Sequence, residues 1–557
     1  MTDEPEIGEN GDDVSTPLLE IRGLSVSYRT RGGTVEAVRG VDLDVWPGQV
    51  TAVVGESGSG KSTTAHAITR LLSANGRIDA GTVRFGRHDL ATLSEAELRT
   101  VRGARIGLVP QDPTVSLNPV KRIGDQVAEV LRIHGLATRR SAFAEAVAVL
   151  ERAGLPDAAT RARQYPHELS GGMRQRALIA IAIAAQPELI IADEPTSALD
   201  VTVQRVILDH LQRLTEESGT AVLLVTHDLG VAADRAQRLV VMSQGKVVEA
   251  GPTRDILADP QDDYTRHLLA SAPSLTTARP RTPAAAVPEP DTAPLVEVRS
   301  LVKEFRLPRA GDGPRTLRAV DDVSFTLHRG RTLALVGESG SGKSTTARLV
   351  LRLADASAGQ ILFDGADVTS ARGAQARRLR RRAQLVYQNP YASLDPRFSI
   401  GEVITEPLRA FEVGDRASRL TRARELLDRV ALPAATLERR PAELSGGQRQ
   451  RVAIARALAL SPDLVVCDEP VSALDVSVQA QVLDLLAELQ ADTGVAYLFI
   501  SHDLAVVRQI AHQVAVMRAG RVVETGPPEE LFTRPRHEYT RELLAAIPGG
   551  RVATTTS

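Results

Sequence analysis

One ten-residue segment occurs twice in this chain of 557 residues, and it constrains the fold more than any other feature. The segment GESGSGKSTT occupies residues 55–64 and returns unchanged at residues 337–346. Each copy fits G-x-x-x-x-G-K-[ST] and follows a short apolar run, at residues 50–54 and 332–336. A strand, a glycine-rich turn and a helix in this order aim backbone N–H groups and a helix dipole at phosphate oxygens. The sequence therefore predicts a tandem nucleotide-binding protein.

The side chains of these phosphate loops have distinct expected tasks. Lys61 and Lys343 can reach the β- and γ-phosphates, and the hydroxyls of Ser62 and Ser344 suit Mg²⁺. The loop residues expected to bind the nucleotide in the first half are Gly55, Glu56, Ser57, Gly58, Ser59, Gly60, Lys61, Ser62 and Thr63. Those in the second half are Gly337, Glu338, Ser339, Gly340, Ser341, Gly342, Lys343, Ser344 and Thr345.

The repeat extends over the whole chain. The offset between matching residues is 282 at Gly55 and Gly337, and it narrows to 275 at His227 and His502. Small deletions in loops of a duplicated fold explain this drift. We predict domains at residues 18–273 and 295–548, joined by a Pro/Ala-rich linker at 274–294. Residues 1–17 and 549–557 are predicted to be a disordered lead and a disordered tail.

Composition limits the possible partners and the cellular compartment of this chain. The net charge of −2 provides no positive field that would attract nucleic acid, so no nucleic-acid partner is expected. The single cysteine excludes an internal disulfide and fits a reducing compartment. No run approaches the roughly 18 apolar residues of a membrane span, and the acidic N-terminus is unlike a signal peptide. We expect a soluble chain, for which any membrane role must come through partners.

Continuous apolar runs that end in polar residues predict where each site lies. Residues 189–193 and 464–468 end in an aspartate, and residues 221–226 and 495–501 precede a histidine. Such runs suit strands that are buried on both faces of a parallel sheet, and ligands of these sheets lie beyond the carboxyl ends of strands. One site per half is predicted.

Further motifs follow the phosphate loops in the same order in both halves. L-S-G-G-x-x-Q-R stands at residues 169–176 and 444–451, D-E-P at 193–195 and 468–470, and [ST]-H-D at 226–228 and 501–503. This set resembles the ATP-binding cassette (ABC) ATPase family over nearly all of both halves. The resemblance implies an α/β fold with two tandem P-loop NTPase domains. Each would have a mostly parallel core sheet, an antiparallel β subdomain and a helical subdomain.

The resemblance also implies roles for the motif residues, which strand-end chemistry supports. The Mg²⁺ ligands, direct or through water, would be Ser62, Gln111, Asp193, Ser344, Gln388 and Asp468. Glu194 and Glu469 would polarise the attacking water as general bases. His227 and His502 would sense the γ-phosphate, while Gln111 and Gln388 would contact the metal and the water.

The L-S-G-G motif and two aromatic residues complete the expected ATP contacts. Because a serine before a helix caps free N–H groups, the motif forms an anion site. In this family that site faces the phosphate loop of the opposite cassette, so the two domains of the chain would pair. Its residues here are Ser170, Gly171, Gly172, Ser445, Gly446 and Gly447. Tyr28 and Phe305 resemble the aromatic that stacks on adenine, and the alternative for both is simple packing.

A narrower resemblance concerns the subfamily. Residues 111–119 and 388–396 share Q-[DN]-P-x-x-S-L-[ND]-P, which is similar to the oligopeptide and dipeptide importer ATPases. Each half also ends in a related segment, in which D-D-Y-T at 262–265 and H-E-Y-T at 537–540 replace the subfamily's usual H-P-Y-T. The resemblance implies ATP-driven peptide import with two permease subunits and an extracytoplasmic substrate-binding protein. The chain would sit peripherally on the cytoplasmic face of the membrane.

Other functions remain open at this point. Nickel, glutathione and opine importers resemble the same ATPases, and their cargo is chosen by proteins outside this chain. A tandem ABC factor acting on ribosomes is a different class, which typically has a long charged helical linker. A DNA-repair ABC ATPase would need an inserted coiled coil or zinc module. Neither feature is found in this sequence.

Overall fold

The computed structural model describes residues 16–30, 32–197, 199–271, 293–306, 316–472 and 474–548. Most of the predicted lead and linker and the whole predicted tail lie outside these residues, so the domain boundaries stay predictions. The chain groups into two compact units. One contains the chain up to residue 197 together with 207–266, and the other contains 198–206 and the chain from 267 onward.

The strands of the first half form two sheets. Their bounds are β1 Leu19–Thr30, β2 Gly33–Val45, β3 Val50–Val54, β4 Gly76–Phe85, β5 His88–Asp89, β6 Ile106–Val109, β7 Leu189–Asp193, β8 Ala221–Val225, β9 Arg238–Ser243 and β10 Lys246–Pro252. The antiparallel sheet has the order β2-β1-β4-β5. The six-stranded sheet has the order β10-β9-β3-β8-β7-β6, and only its β10–β9 pair is antiparallel.

The first half also has eleven α-helices among the described residues, and three of them form a helical subdomain. Their bounds are α1 Lys61–Ile68, α2 Glu95–Val101, α3 Pro113–Ser116, α4 Ile123–Ile133, α5 Ala142–Arg152, α6 Ala158–Arg161, α7 Gly171–Ile183, α8 Val201–Ser218, α9 Leu229–Arg235, α10 Thr253–Ala258 and α11 Asp263–Ser271. Helices α4, α5 and α7 pack on one another as a helical subdomain.

The second half repeats this layout. Its strands are β11 Val296–Arg306, β12 Thr316–Leu327, β13 Thr332–Val336, β14 Ala358–Phe363, β15 Ala366–Asp367, β16 Ala383–Val386, β17 Leu464–Asp468, β18 Ala496–Ser501, β19 Gln513–Arg518 and β20 Arg521–Gly526. The sheet orders are β12-β11-β14-β15 and β16-β17-β18-β13-β19-β20. Its helices are α12 Lys343–Val350, α13 Gly373–Arg382, α14 Pro390–Ser393, α15 Ile400–Ala410, α16 Arg416–Arg429, α17 Gly446–Leu458, α18 Val476–Thr493, α19 Leu504–Ile510, α20 Pro528–Thr533 and α21 Glu538–Ala545.

Hydrophobic burial explains these layers. Every residue of β3, β7 and β8 is buried, as expected for parallel strands covered on both faces. In β1 the inward residues Leu19, Ile21 and Val26 alternate with more exposed ones and pack against Val53 and Leu189 of the parallel sheet. The predicted fold, with its parallel core sheet, antiparallel β subdomain and helical subdomain, is confirmed.

The structure also bears on whether a helix of the chain could cross a membrane. Among the residues it describes, no helix has both the length and the apolar character needed to cross a bilayer.

Candidate nucleotide site

Neighbouring parallel strands bring the predicted groups to one edge of each core sheet. In the first unit the phosphate loop follows β3, His227 follows β8, Glu194 follows β7 and Gln111 follows β6. These four strands are adjacent in the order β3-β8-β7-β6. Because parallel strands end on the same side, residues distant in sequence meet there. The second unit repeats the order with β13-β18-β17-β16.

Two positions of the phosphate loop admit only glycine. Gly55 has a φ of 149°, and a Cβ there would lie 2.1 Å from the Met242 carbonyl oxygen. Gly60 has a φ of 101°, and its Cβ would lie 2.6 Å from the Ala37 carbonyl oxygen. Gly337 and Gly342 meet the Met517 and Ala319 carbonyls in the same way. Close backbone contact therefore explains why both copies keep these glycines.

The loop lysines are buried and turned onto their own loops. Lys61 Nζ donates to the carbonyl oxygens of Gly55 and Glu56, each at 2.8 Å. Lys343 Nζ donates to Gly337 and Glu338 at 2.7 and 2.8 Å. Burial lowers the pKa of Lys343, although nearby carboxylates, Glu469 first among them, oppose this shift. An ammonium held in this way is available to an incoming phosphate with little reorganisation.

The serine that follows each lysine pairs with the strand-end aspartate. Ser62 Oγ donates to Asp193 Oδ1 at 2.9 Å, and Ser344 Oγ donates to Asp468 Oδ1 at the same distance. Burial raises the pKa of both aspartates, and the serine hydrogen bonds oppose that shift only in part. Each pair offers hydroxyl and carboxylate oxygens, the hard donors that Mg²⁺ prefers.

The predicted base is held between the predicted glutamine and histidine. Glu194 Oε2 accepts from Gln111 Nε2 at 2.7 Å, and Glu194 Oε1 lies 3.3 Å from His227 Nδ1. In the second unit the distances from Glu469 to Gln388 and His502 are 2.9 and 3.2 Å.

Charge pairing sets the protonation of these groups. Burial alone would raise the pKa of Glu194, but the hydrogen bond and charge of His227 outweigh it, so the pKa of Glu194 is lowered. Burial would lower the pKa of His227, yet its partner Glu194 raises it. The pKa values of Glu469 and His502 shift in the same directions for the same reasons.

The two predicted bases, Glu194 and Glu469, have a left-handed backbone, which sequence reasoning did not foresee. The φ of Glu194 is 46° and that of Glu469 is 47°. The Glu194 N–H donates to Val225 O at 2.9 Å, and Ser197 Oγ donates to Glu194 O at 3.1 Å. A non-glycine residue in this region is strained and needs such fixed partners.

The L-S-G-G serines cap helices, as predicted. Ser170 Oγ accepts from Met173 N at 3.4 Å at the start of α7, and Ser445 Oγ accepts from Gln448 N at 3.3 Å at the start of α17. The Ser445 N–H also donates to Gln448 Oε1, whereas Met173 has no side-chain oxygen to accept the equivalent hydrogen bond. Ser170, Gly171 and Ser445 are exposed, and Gly172, Gly446 and Gly447 are half-buried. Among the described residues, no hydrogen bond joins the L-S-G-G motif to the phosphate loop of the same unit.

The two aromatic candidates differ in their surroundings. Tyr28 Oη donates to Thr63 Oγ1 at 3.4 Å, which places the ring beside the phosphate loop. Phe305 is 42% exposed, and Lys303 Nζ lies 5.0 Å from the centre of its ring. Tyr28 is half-buried and packs against the hydrophobic core of the first unit, which is the packing role given above as its alternative.

Sequence reasoning missed two further features of the sites. Tyr264 and Tyr539 accept hydrogen bonds from the loop residues Glu56 and Glu338, and the only sequence signal was their shared Tyr-Thr pair. His66 Nε2 lies 3.6 Å from Asp193 Oδ2, whereas Arg348 holds the matching position in the second half. A comparison of the residues just after the identical decamers could have found this difference.

Comparison with known proteins agrees with this geometry. The model of the family described as ABC transporter matches residues 38–197 and 320–472. A second model, described as oligopeptide/dipeptide transporter, C-terminal region, matches residues 248–295 and 523–555. Glutathione import ATP-binding protein GsiA from Salmonella choleraesuis is 45% identical over 96% of this chain and 90% of its own length. GsiA from Pectobacterium atrosepticum is 46% identical over 95% of this chain and 89% of its own.

A solved dimeric bacterial ABC transporter cassette covers 42% of this chain and 99% of its own, with 30% identity and a TM-score of 0.39. Each of the two core sheets has a complete set of phosphate-loop, acidic and histidine groups, which defines a tandem ATPase. The chain belongs to the ABC transporter family. Its C-terminal regions are those of the oligopeptide/dipeptide transporter group. The protein is the ATPase motor of an ABC importer, which confirms the predicted family, activity and use of ATP.

Proposed function

We propose that this motor hydrolyses ATP at two composite sites and drives peptide uptake through two transmembrane permease subunits. An extracytoplasmic substrate-binding protein would deliver the solute, and the chain would lie on the cytoplasmic face of the membrane. The observation that carries the proposal is the completeness of both sites. Each unit has the same Gln–Glu–His and Ser–Asp contacts, with matching distances that differ by at most 0.2 Å.

The geometry supports a direct role for the glutamates in hydrolysis. Water would attack the γ-phosphorus as the bond to the ADP oxygen breaks, and the proton of that water would pass to Glu194 or Glu469. The lowered pKa keeps each carboxylate ionised and ready to accept a proton. Gln111 and His227 each contact one oxygen of Glu194, and each oxygen has a further lone pair that can accept a hydrogen bond from the water.

The residues at each site fit a bound Mg²⁺. Ser62 and Asp193 in one site, and Ser344 and Asp468 in the other, would hold it together with ATP phosphates. Gln111 and Gln388, the other predicted ligands, follow the adjacent strands β6 and β16. When bound, the ion neutralises charge that develops on the phosphates. The serine and aspartate of each site are already together, so little rearrangement is needed.

Each site would be completed by the other cassette. The exposed N-terminus of α17, at Ser445, would close on the ATP of the first phosphate loop, and that of α7, at Ser170, on the second. Fusion in one chain raises the effective concentration of each cassette for the other. Tyr28 and Phe305 would contact adenine at the open side of the loops.

The cargo follows from the relatives and not from the site. The two relatives above are glutathione import proteins, and glutathione is itself a small peptide. We therefore place glutathione among the peptide substrates, with nickel as the alternative of a different chemical class. Uptake of labelled glutathione, a dipeptide and nickel by cells with and without the gene separates these cargoes.

Recovery of permeases with the tagged chain tests the transport proposal. Val115 and Val120 follow Gln111 and are 82% and 80% exposed, so they suit contact with cytoplasmic segments of the permeases. From solubilised native membranes we expect two multi-span proteins to co-purify with the wild type. The variant V115D/V120D is expected to recover them at least about tenfold less well, since about 1.4 kcal/mol changes an equilibrium tenfold.

The matched control is Val35→Asp, which changes a 53% exposed valine on the antiparallel sheet. It is expected to recover the permeases as the wild type does. A wild type that stays in the membrane-free fraction with no multi-span protein would end the transport proposal. Equal recovery by V115D/V120D would instead exclude this surface as the docking region.

A further inference from the structure

We infer that Tyr264 and Tyr539, from the C-terminal extension of each half, are positioning residues that hold the phosphate loop ready for nucleotide. This inference rests on the proposed nucleotide site and adds a role for the extension. The Tyr264 phenol oxygen accepts from the Glu56 N–H at 3.0 Å, within the first unit. The Tyr539 phenol oxygen accepts from the Glu338 N–H at 3.0 Å, within the second.

A single peptide group links each phenol to the loop lysine. The peptide that provides the Glu56 N–H also provides the Gly55 carbonyl, which accepts from Lys61 Nζ at 2.8 Å. In the other unit the Gly337 carbonyl of the equivalent peptide accepts from Lys343 Nζ at 2.7 Å. Hydrogen bonds on both sides of one peptide polarise and fix it. The tyrosine therefore restrains the part of the loop on which the phosphate-binding lysine rests.

The extension that carries each tyrosine is itself anchored to the core. Glu249 on β10 accepts the N–H groups of Gln261 and Asp262 at 2.9 and 3.2 Å, just before α11. Glu524 on β20 accepts those of Arg536 and His537 at 2.8 and 3.1 Å, just before α21. Because the start of each helix is tied to the edge strand of the core sheet, each tyrosine has a fixed base from which to hold the loop.

The phenol is electrically suited to this place. Tyr539 is 1% exposed, and burial raises the pKa of its hydroxyl to about 12. The group therefore stays neutral at physiological pH and adds no negative charge beside a loop that receives phosphates. Arg518 lies over the ring, 4.6 Å from its centre, and helps to fix its position.

The contact recurs in both halves of the chain. The residues around the tyrosines differ, with D-D-Y-T in one half and H-E-Y-T in the other. Nevertheless the same phenol meets the same loop position at the same distance. Removing the hydroxyl alone should free the loop without disturbing the packing of the ring. Binding must then order a loop that the wild type holds in place, which weakens affinity.

The test compares MgADP affinity and ATP turnover of the full chain with those of the variant Y264F/Y539F. We expect the Kd for MgADP, from calorimetric titration, and the KM for ATP each to rise about threefold to tenfold, the range that one lost hydrogen bond gives. The kcat should stay within about twofold, because a bound nucleotide itself orders the loop. A merely structural contact would lower Tm without moving Kd or KM.

Tyr497→Phe is the matched control. Tyr497 is also buried, and its hydroxyl donates to Leu486 O at 3.1 Å beside the start of β13, at the end of the strand away from the loop. It should leave Kd and KM unchanged. If the wild type binds MgADP and Y264F/Y539F binds it equally well, the inference is overturned while the nucleotide site stands. A wild type that binds no MgADP would overturn both. The single variants Y264F and Y539F give the same comparison one site at a time.

Discussion

The glutamate–histidine pairs show how single residues fix the charge state of the sites. Glu194 with His227, and Glu469 with His502, each combine a carboxyl of lowered pKa with an imidazole of raised pKa. Both shifts favour the ion pair. A histidine whose pKa is raised on folding stabilises the protein below its unfolded pKa of about 6.5, and this contribution is lost as pH rises through the folded value.

Replacing both histidines should therefore change the pH dependence of stability. For H227Q/H502Q we expect the loss in unfolding free energy relative to wild type to be about 1 kcal/mol greater at pH 6 than at pH 9. Denaturant midpoints at the two pH values measure this difference. A loss that does not vary with pH would contradict the ion pairs.

His210 provides a comparison of opposite sign. Burial lowers its pKa to about 4. Because the unfolded chain takes up a proton at a higher pH than the folded chain does, His210 costs stability as pH falls below about 6.5. As the pH is lowered from 9 to 6, the free energy of unfolding of H210Q should therefore rise relative to that of the wild type. Denaturant midpoints at the two pH values measure this change.

At the scale of elements, the sequence predicts well what local pattern controls. Continuous apolar runs located β7, β8 and β17, and the serine before each L-S-G-G helix was correctly predicted as its N-cap. The strand-end rule then gave the site, because neighbouring parallel strands end together. The strands and the helix caps depend on residues close in sequence.

Long-range contacts escaped prediction for a physical reason. The Tyr264–Glu56 contact joins residues 208 positions apart, and no periodicity encodes such a pair. The left-handed backbone of Glu194 is imposed by its hydrogen bond to Val225, on the neighbouring strand. The predicted roles of the site residues remain predictions, since position alone does not measure catalysis.

Two capped helices allow a test at this scale. Ser445 at the start of α17 and Ser399 at the start of α15 both cap through a reciprocal capping box. We expect S445A and S399A to lower stability alike, by about 1 kcal/mol, because each loses one N-cap. Only S445A should also reduce ATP turnover, by about tenfold or more, through loss of a hydrogen bond to charged phosphate. Equal turnover in the two variants would contradict the role of the L-S-G-G helix.

At the scale of the molecule, the duplication is nearly exact at the sites and looser around them. The hydrogen bonds from serine to aspartate are equal in length in the two units, and both glutamates share the same backbone conformation. The differences are His66 against Arg348 near the aspartate, and Met173 against Gln448 in the signature helix. None of these removes a predicted catalytic group, so we expect both sites to hydrolyse ATP.

Steady-state ATP hydrolysis by E194Q/E469Q shows whether Glu194 and Glu469 are the bases of two working sites. The control is E188Q, which alters an exposed ion pair with Arg105 at the opposite end of β7 and should leave the rate unchanged. We predict that E194Q/E469Q binds MgATP within about threefold of wild-type affinity. Its hydrolysis should be slower by about 100-fold or more, the usual contribution of a general base. Hydrolysis at the wild-type rate would contradict the account.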